Sequence, residues 1–234
     1  IIEGVSLLMK DDGIFIMEVG YFLDVFQNRW FDTIYHEHLD FHTVTPLEKL
    51  FSRFGLELFK VERISPQGGS IRVFVQKKNG VRRIDKSVQE LIDLETSNGL
   101  SALQTLKTFQ QEIDIVKEDF KNLITRLKSK GSKIAAFGAP TKATTLCYHF
   151  DINHDDIGFI VDDNPLKQGL YSPGKHIPVY DSKKIYEDTP DFIIILAWNF
   201  ADSIIEKHKE YIDSGGGFII PMPKPEIIKK DMNE

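Results

Sequence analysis

The sequence predicts an α/β protein with two sheet-containing regions joined by a long helix. Three observations predict this fold: short apolar runs alternate with helical segments in the first 85 residues, the alternation returns after Gly131, and an amphipathic helical pattern lies between them. Such alternation is typical of sheets whose strands are connected through helices. The predicted domains are therefore 1–85, a helical linker 86–130, and 131–234.

The first region is predicted to be the end of a doubly wound sheet. Ile1–Lys10 has the pattern of a helix end, and the continuous apolar run Ile14–Val19 is typical of a buried parallel strand. A long loop extends to Thr45, which is predicted to cap a helix. Leu56–Ile64 and Ser70–Lys77 are predicted to form an antiparallel hairpin at the edge of the sheet.

The middle of the chain is predicted to be one long amphipathic helix that packs against the protein rather than binding a ligand. Its apolar residues recur at three- and four-residue steps: Leu103, Leu106, Phe109, Ile113, Val116, Phe120, Leu123 and Leu127.

The last region is predicted to hold a mainly parallel sheet. Its strand-like runs are Lys133–Phe137, Ile157–Val161, Phe192–Ala197 and Gly217–Ile220, and its main helical stretches are Thr141–Phe150 and Asp202–Ile212. The tail after Pro221 is rich in proline and lysine and is predicted to be frayed.

Composition argues against a nucleic-acid partner and a membrane span, and it indicates a cellular compartment. The net charge is -6 and no basic stripe is present, which argues against nucleic acid. No apolar run approaches the roughly 18 residues of a membrane span. The single cysteine, Cys147, cannot form an internal disulfide, so we expect a reducing compartment and a cytoplasmic location. An anionic small molecule is compatible with this charge because helix N-termini bind phosphate.

The polar cluster Tyr35-His36-Glu37-His38 follows the first strand, where open α/β sheets bind their ligands. In an extended stretch His36 and His38 share one face and Glu37 points away from them. A histidine here can act as a general base, oriented by a nearby carboxylate. Two other interpretations stay open: a loop satisfied by backbone hydrogen bonds, and a metal site formed by His36, His38, His42 and Glu37.

Two turns after predicted strands carry candidate binding residues. Thr141 and Lys142 follow a strand-to-helix turn, where free N–H groups suit a phosphate. Asp162 and Asn164 follow the next strand, where an acid can accept hydrogen bonds from a ribose. An ordinary tight turn and an ordinary turn cap explain the two patterns equally well.

Two more stretches are weaker candidates. Trp198 and Asn199 end a very apolar strand, and Asn199 is also a good helix N-cap. Arg72 follows a glycine pair, and a simple ion pair with a carboxylate is the alternative there.

Five runs, taken in order, carry a resemblance to a known family. They are Phe31–His38, Gly68–Arg72, Phe137–Ala139 with Lys142, Asp162–Gly169 and Leu196–Phe200. Together they resemble the S-adenosylmethionine-dependent sugar C-methyltransferases over nearly the whole chain. The resemblance implies that the chain holds the last part of a Rossmann-like methyltransferase sheet, a linking helix, and a second Rossmann-like domain.

The resemblance also implies a reaction on a nucleotide-linked keto-deoxysugar. His38 is then the base that removes the proton beside the keto group, and Glu37 and Tyr35 orient it or stabilise the developing oxyanion. The implied substrate-binding residues are Arg72, Thr141, Lys142, Asp162, Asn164, Lys167, Trp198 and Asn199. The implied methyl donor is S-adenosylmethionine, whose main glycine-rich loop lies outside this sequence, so its binding residues are unknown. Zinc belongs to a separate N-terminal domain of the family, and no metal is expected in this chain.

Other functions stay open on the residues alone. One is a nucleotide-sugar-binding module without methyl transfer. Another is an NAD(P)-binding, oxidoreductase-like domain built on the last region, although the glycine spacing of a dinucleotide fingerprint is missing there. A metal-dependent hydrolase built on the histidine cluster is a further alternative. The sugar, the methylated carbon and the oligomeric state are not predicted.

Overall fold

The computed structural model describes residues 1–230, apart from the side chain of Gln67. By its contacts the chain divides into two compact units. Unit 1 comprises residues 1–28 and 39–110, and unit 2 comprises residues 29–38 and 111 onward. The segment Arg29–His38, here called the histidine segment, therefore belongs to the same unit as the second sheet. The domain limits at 85/86 and 130/131 stay predictions.

Unit 1 is built on a three-stranded antiparallel sheet in the order β1-β3-β2. Its strands are β1 (Phe15–Gly20), β2 (Leu56–Ile64) and β3 (Ser70–Lys77), and its helices are α1 (Ile2–Leu8), α2 (Phe22–Asn28), α3 (Val44–Ser52) and α4 (Lys86–Ser97). The predicted hairpin of β2 and β3 is confirmed at its predicted limits. Helix α2 lies inside the predicted loop.

The prediction of a buried parallel strand at Ile14–Val19 is wrong. Strand β1 pairs antiparallel with β3, and Ile16 is 52% exposed. Its residues Phe15, Met17 and Val19 pack on the core of unit 1, and the residues between them point the other way. The core therefore contacts one face of this strand, and a continuous apolar run did not imply burial on both faces.

The start of α3 is stabilised by a residue distant in sequence. Thr43 occupies the N-cap position without a side-chain hydrogen bond, so the predicted capping by Thr45 is wrong. The buried carboxylate of Glu95 on α4 instead accepts hydrogen bonds from the amides of Val44 (2.6 Å) and Thr45 (3.0 Å). It also accepts bonds from the hydroxyls of Thr45 (2.6 Å) and Tyr21 (3.0 Å).

The middle of the chain contains two helices rather than one. Helix α4 ends at Ser97, and α5 (Leu103–Ser129) begins in unit 1 and ends in unit 2. Gly99 lies between them with a φ of 68°, a left-handed conformation that interrupts a helix and that glycine adopts readily. The amphipathic pattern from Leu103 is confirmed, because Ile113, Val116 and Phe120 are buried.

Unit 2 contains a six-stranded sheet in the order β6-β5-β4-β7-β8-β9. Its strands are β4 (Ile134–Phe137), β5 (Ile160–Val161), β6 (Val179–Tyr180), β7 (Phe192–Ile195), β8 (Gly217–Ile220) and β9 (Glu226–Ile228). Its helices besides α5 are α6 (Thr141–His149), α7 (Lys184–Asp188), α8 (Ala201–Lys207) and α9 (Lys209–Asp213). The first five strands in spatial order are parallel, which confirms the predicted sheet, and β9 is antiparallel.

Residues 222–230 of the predicted tail are more ordered than predicted, because β9 pairs with β8 as far as Ile228. The last predicted tail residues, 231–234, lie outside the described part of the chain. No helix within residues 1–230 is both long and apolar enough to cross a lipid bilayer.

The order of the strands in unit 2 predicts where a ligand-binding crevice would lie. From β4 the chain moves outward to β5 and β6, and then returns to β7 on the other side of β4. Connections that leave two adjacent parallel strands in opposite directions open a crevice at their carboxyl ends, where α/β sheets bind ligands. The segments that follow β4 and β7 therefore border the expected binding position. They include Lys142 at the start of α6, and Trp198 and Asn199 in a 3₁₀ turn.

Candidate active site

The histidine segment is compact rather than extended. A 3₁₀ turn covers Phe31–Thr33, and a second turn follows in which the His38 amide donates to the Tyr35 carbonyl at 2.9 Å. His36 and Glu37 occupy this second turn and are exposed. The expectation that His36 and His38 share a strand face is therefore wrong, because a turn separates the two rings.

Both ring nitrogens of His38 lie near polar groups of its own segment. Nδ1 is 2.9 Å from the carbonyl oxygen of Thr33, and Nε2 is 3.2 Å from the hydroxyl of Tyr35. A carbonyl can only accept, so this geometry assigns the proton of the neutral ring to Nδ1. The lone pair then lies on Nε2, where it accepts from the Tyr35 hydroxyl. A neutral histidine in this tautomer can act as a base through Nε2.

Tyr35 and Glu37 flank this imidazole in different ways. The Tyr35 ring packs on the His38 ring, with 4.4 Å between the centroids. Partial burial raises the pKa of Tyr35, and the charges of Glu37 and Asp32 raise it further. Tyr35 therefore stays protonated at neutral pH as a hydrogen-bond donor. Glu37 is exposed, and its charge acts on Tyr35.

Asp32 is a site residue that the sequence analysis missed. Its side chain is fully buried, and one carboxylate oxygen accepts from the indole N–H of Trp198 at 2.6 Å. The same oxygen lies 3.9 Å from the ammonium of Lys142. Burial raises the pKa of Asp32, whereas Lys142 and Trp198 oppose the shift. An aspartate among aromatic residues was the only sequence signal, and it does not distinguish a buried carboxylate from a turn residue.

Lys142 is enclosed rather than solvated. Its ammonium donates to the side-chain oxygen of Asn199 at 2.7 Å and lies 4.2 Å from the centre of the Trp198 ring. Burial lowers the pKa of Lys142, and the charge of Asp32 raises it. Asp32, Lys142, Trp198 and Asn199, here called the lysine cluster, thus join the histidine segment to the turns after β4 and β7. Thr141, the first residue of α6 and the neighbour of Lys142 in the sequence, is exposed.

Gly138 allows the turns after β4 and β7 to approach. Its φ is 90°, and an added Cβ would lie 2.7 Å from the Cβ of Ala197. Both the backbone conformation and the contact therefore favour glycine at this position.

Replacing Gly138 with alanine is expected to lower the free energy of unfolding by about 1–3 kcal/mol, because a left-handed alanine is strained and its methyl meets Ala197. Thermal unfolding would measure the loss. Gly158→Ala is the matched control in the same unit, since an added Cβ there has no heavy atom within 4 Å. Equal melting temperatures for the two variants would contradict the prediction.

Asp162, Asn164 and Lys167 form a second group after β5. The carboxylate of Asp162 accepts from the amides of Ala139 (2.7 Å) and Asn164 (2.9 Å) and from the Lys167 ammonium (3.0 Å). Asn164 accepts from the Leu166 amide at 3.0 Å. The Ala139 amide lies in the turn where a dinucleotide-binding protein holds pyrophosphate. Here that amide already donates its hydrogen bond to the Asp162 carboxylate. This contact argues against the NAD(P)-binding interpretation.

Arg72 lies in the sheet of unit 1. Its guanidinium contacts Glu18 at 2.8 Å and Glu62 at 3.7 Å, and these are its neighbours on the two adjacent strands. The pairs are exposed, so they contribute little to stability. A role for Arg72 in substrate binding stays a prediction.

The metal interpretation of the histidine cluster gains no support from the geometry. Within residues 1–230 no group of three His, Cys, Asp or Glu side chains is arranged to hold a metal ion. His42 is paired with Asp40 at 2.8 Å, and both belong to unit 1, whereas His38 belongs to unit 2.

Comparison with known proteins agrees with the resemblance to C-methyltransferases seen in the sequence. Residues 65–223 match the family described as the C-methyltransferase C-terminal domain. The chain is also 34% identical over 231 residues to C-methyltransferase NovU of Streptomyces niveus. That similarity covers 99% of this chain and 55% of the relative, so the chain spans about half the length of the curated protein that it matches.

Proposed function

The chain belongs to the C-methyltransferase family, and we propose that it forms the part of such an enzyme that binds a nucleotide-linked keto-deoxysugar and removes the proton beside its keto group. One observation carries this proposal: the Nδ1 contact with the Thr33 carbonyl leaves the lone pair of His38 on Nε2. A fixed basic nitrogen is what proton abstraction from carbon requires. The Tyr35 hydroxyl at 3.2 Å is the donor that can hand its hydrogen bond to the developing oxyanion.

We assign the charged part of the substrate to the crevice of unit 2. The first amides of α6, at Thr141 and Lys142, have no acceptor inside the helix, and we assign the diphosphate to them. The Lys142 ammonium adds positive charge there, and Trp198 and Asn199 border the same position. Asp162, Asn164 and Lys167 are proposed to line the neighbouring turn, and a substrate-binding role for Arg72 stays a prediction.

S-Adenosylmethionine is the proposed methyl donor and supplies an electrophilic methyl group when it is bound. No residue of this chain is assigned to it. Cys147 is buried and free, which agrees with the proposed cytoplasmic location.

The proposal is tested with a thymidine-diphosphate-linked keto-deoxysugar and the protein that carries this sequence. Calorimetry is expected to detect binding, and proton NMR in deuterated water, without a methyl donor, is expected to show loss of the signal beside the keto group. Absence of binding would contradict the proposal. Binding without exchange would contradict the catalytic part and support the alternative of a binding module.

A further inference from the structure

The buried carboxylate of Asp32 connects elements that lie far apart in the sequence. It is separated from Lys142 by 110 positions and from Trp198 by 166, yet it contacts both side chains. Its other oxygen is buried and has no hydrogen-bond partner among the described residues. A buried carboxylate with an unsatisfied oxygen is costly, so a purely structural role would be served as well by an uncharged side chain.

The surroundings of Lys142 indicate what the charge of Asp32 does. The ammonium has two neutral contacts, the Asn199 amide oxygen and the Trp198 ring, and its side chain is 15% exposed. Asp32 is the charged group whose field acts on it. Without that carboxylate, the ammonium would lie in a poorly solvated place with no opposite charge, and the neutral amine would be favoured.

We propose that Asp32 is a positioning residue, whose carboxylate keeps the Lys142 ammonium charged, holds it beside Trp198 and Asn199, and links it to the segment that carries His38. This inference rests on the proposed function, because there Lys142 meets the diphosphate of the substrate. Asp32 itself is fully buried and does not touch the substrate. Its effect passes through Lys142 and Trp198.

Other contacts hold the histidine segment without Asp32, so an uncharged variant is expected to fold. The Thr145 hydroxyl donates to the Ile34 carbonyl at 2.9 Å. The Phe31 ring packs on His149 and Phe150, with 4.2 Å and 5.7 Å between centroids. In Asp32→Asn the amide oxygen can still accept from the Trp198 indole, so the variant removes the charge and keeps this hydrogen bond.

Tryptophan emission gives a readout that needs no ligand. The chain has two tryptophans, Trp30 and Trp198, and their rings lie 5.1 Å apart at the lysine cluster. In an alkaline titration, deprotonation of Lys142 is expected to change this emission, and Lys142→Met is expected to remove the component of the change that comes from Lys142. In Asp32→Asn the transition is expected to move to lower pH by about one unit or more.

Two titratable neighbours of the cluster, Tyr35 and His149, have shifted pKa values. Tyr35 titrates above its ordinary pKa, so any contribution it makes to the alkaline change persists in Lys142→Met. Burial lowers the pKa of His149, which packs on Phe31 and faces Lys117 and Asp114 of α5, so it titrates on the acid side. Asp156→Asn is the matched control, because Asp156 pairs with Lys128 at 2.7 Å in a different part of unit 2. It is expected to leave the transition unchanged.

A double variant separates positioning from misfolding. If Asp32→Asn acts by leaving a buried ammonium unpaired, then Asp32→Asn combined with Lys142→Met should melt at a higher temperature than Asp32→Asn alone. A double variant that melts at or below the single variant would contradict the proposal. An emission transition at the same pH in wild type and Asp32→Asn would overturn it directly.

Affinity for thymidine diphosphate distinguishes this inference from the proposed function. Wild-type protein is expected to lose affinity at alkaline pH, and the loss is expected to begin about one unit lower in Asp32→Asn, which is a tenfold difference within that window. Failure of the wild type to bind thymidine diphosphate contradicts the proposed function, and the emission titration still decides the role of Asp32. Normal binding with superimposable pH profiles contradicts the role of Asp32 alone.

Discussion

Replacing His38 with asparagine is expected to slow the solvent exchange of the proton beside the substrate's keto group by about 10²–10⁴-fold, the usual contribution of a positioned general base. The asparagine amide can occupy the place of Nδ1 and donate to the Thr33 carbonyl, so the turn is kept. What is lost is Nε2, the nitrogen that carries the lone pair. Proton NMR in deuterated water, without a methyl donor, would measure the exchange.

Two controls make this result specific. His36→Asn is the same change on the exposed neighbour, and it is expected to leave exchange within about twofold of wild type, as surface substitutions usually do. The affinity of His38→Asn for thymidine diphosphate should equal that of the wild type, because the nucleotide is assigned to the start of α6. Exchange that survives in His38→Asn, or that falls equally in His36→Asn, would rule out His38 as the base.

Replacing Glu95 with glutamine is expected to cost unit 1 about 3 kcal/mol of unfolding free energy. The carboxylate accepts four hydrogen bonds, from the amides of Val44 and Thr45 and the hydroxyls of Thr45 and Tyr21. A glutamine has one acceptor oxygen, so its NH₂ group would face donors that then remain unsatisfied in a buried place. Urea unfolding, followed by a probe in unit 1, would measure the loss.

Glu90→Gln on the same helix is the matched control for this change. Glu90 is exposed, and within α4 its carboxylate pairs with the Lys86 ammonium at 3.1 Å. Its replacement is expected to cost less than about 0.5 kcal/mol. A similar midpoint for the two variants would show that the contacts of Glu95 add nothing to stability beyond those of a surface residue.

The same cluster predicts an alkaline loss of stability. Burial, followed by the charge of Glu95, raises the pKa of Tyr21 far above its usual value. Since the folded pKa exceeds the unfolded one, the contribution to stability is complete below about pH 10 and declines as the pH rises above it. Unfolding curves collected from neutral to alkaline pH would show this decline in wild type.

Much of the secondary structure was predictable because it is encoded by local patterns. The hairpin of β2 and β3 follows from alternation beside a proline–glycine turn, and the parallel strands β4, β7 and β8 follow from short, very apolar runs. The predicted run Ile157–Val161 contains β5, although only Ile160 and Val161 form the strand. Strand β6 has two residues, which is too short for any periodicity, and it was not predicted. Strand β9 follows a proline-rich stretch, and its pairing with β8 was not visible in its own residues.

The candidate residues were named from the sequence, but their environments were not. Lys142, Trp198 and Asn199 could be placed at strand ends by pattern alone, and a shared crevice follows from parallel strands. The burial of Asp32 could not be predicted, because it depends on contacts with residues more than 100 positions away. The turn at Tyr35–His38 was also missed, because its polar residues match no single backbone pattern.

By itself, the sequence determined the α/β class, the hairpin, the parallel sheet and the resemblance to C-methyltransferases, because spacing and residue type encode these locally. Only the tertiary structure decided that residues 29–38 belong to the second unit, that Glu95 completes the start of α3, and that Asp32 faces Lys142. Each of these depends on burial, which removes water as an alternative partner. A polar side chain must then bond to whatever the fold brings beside it.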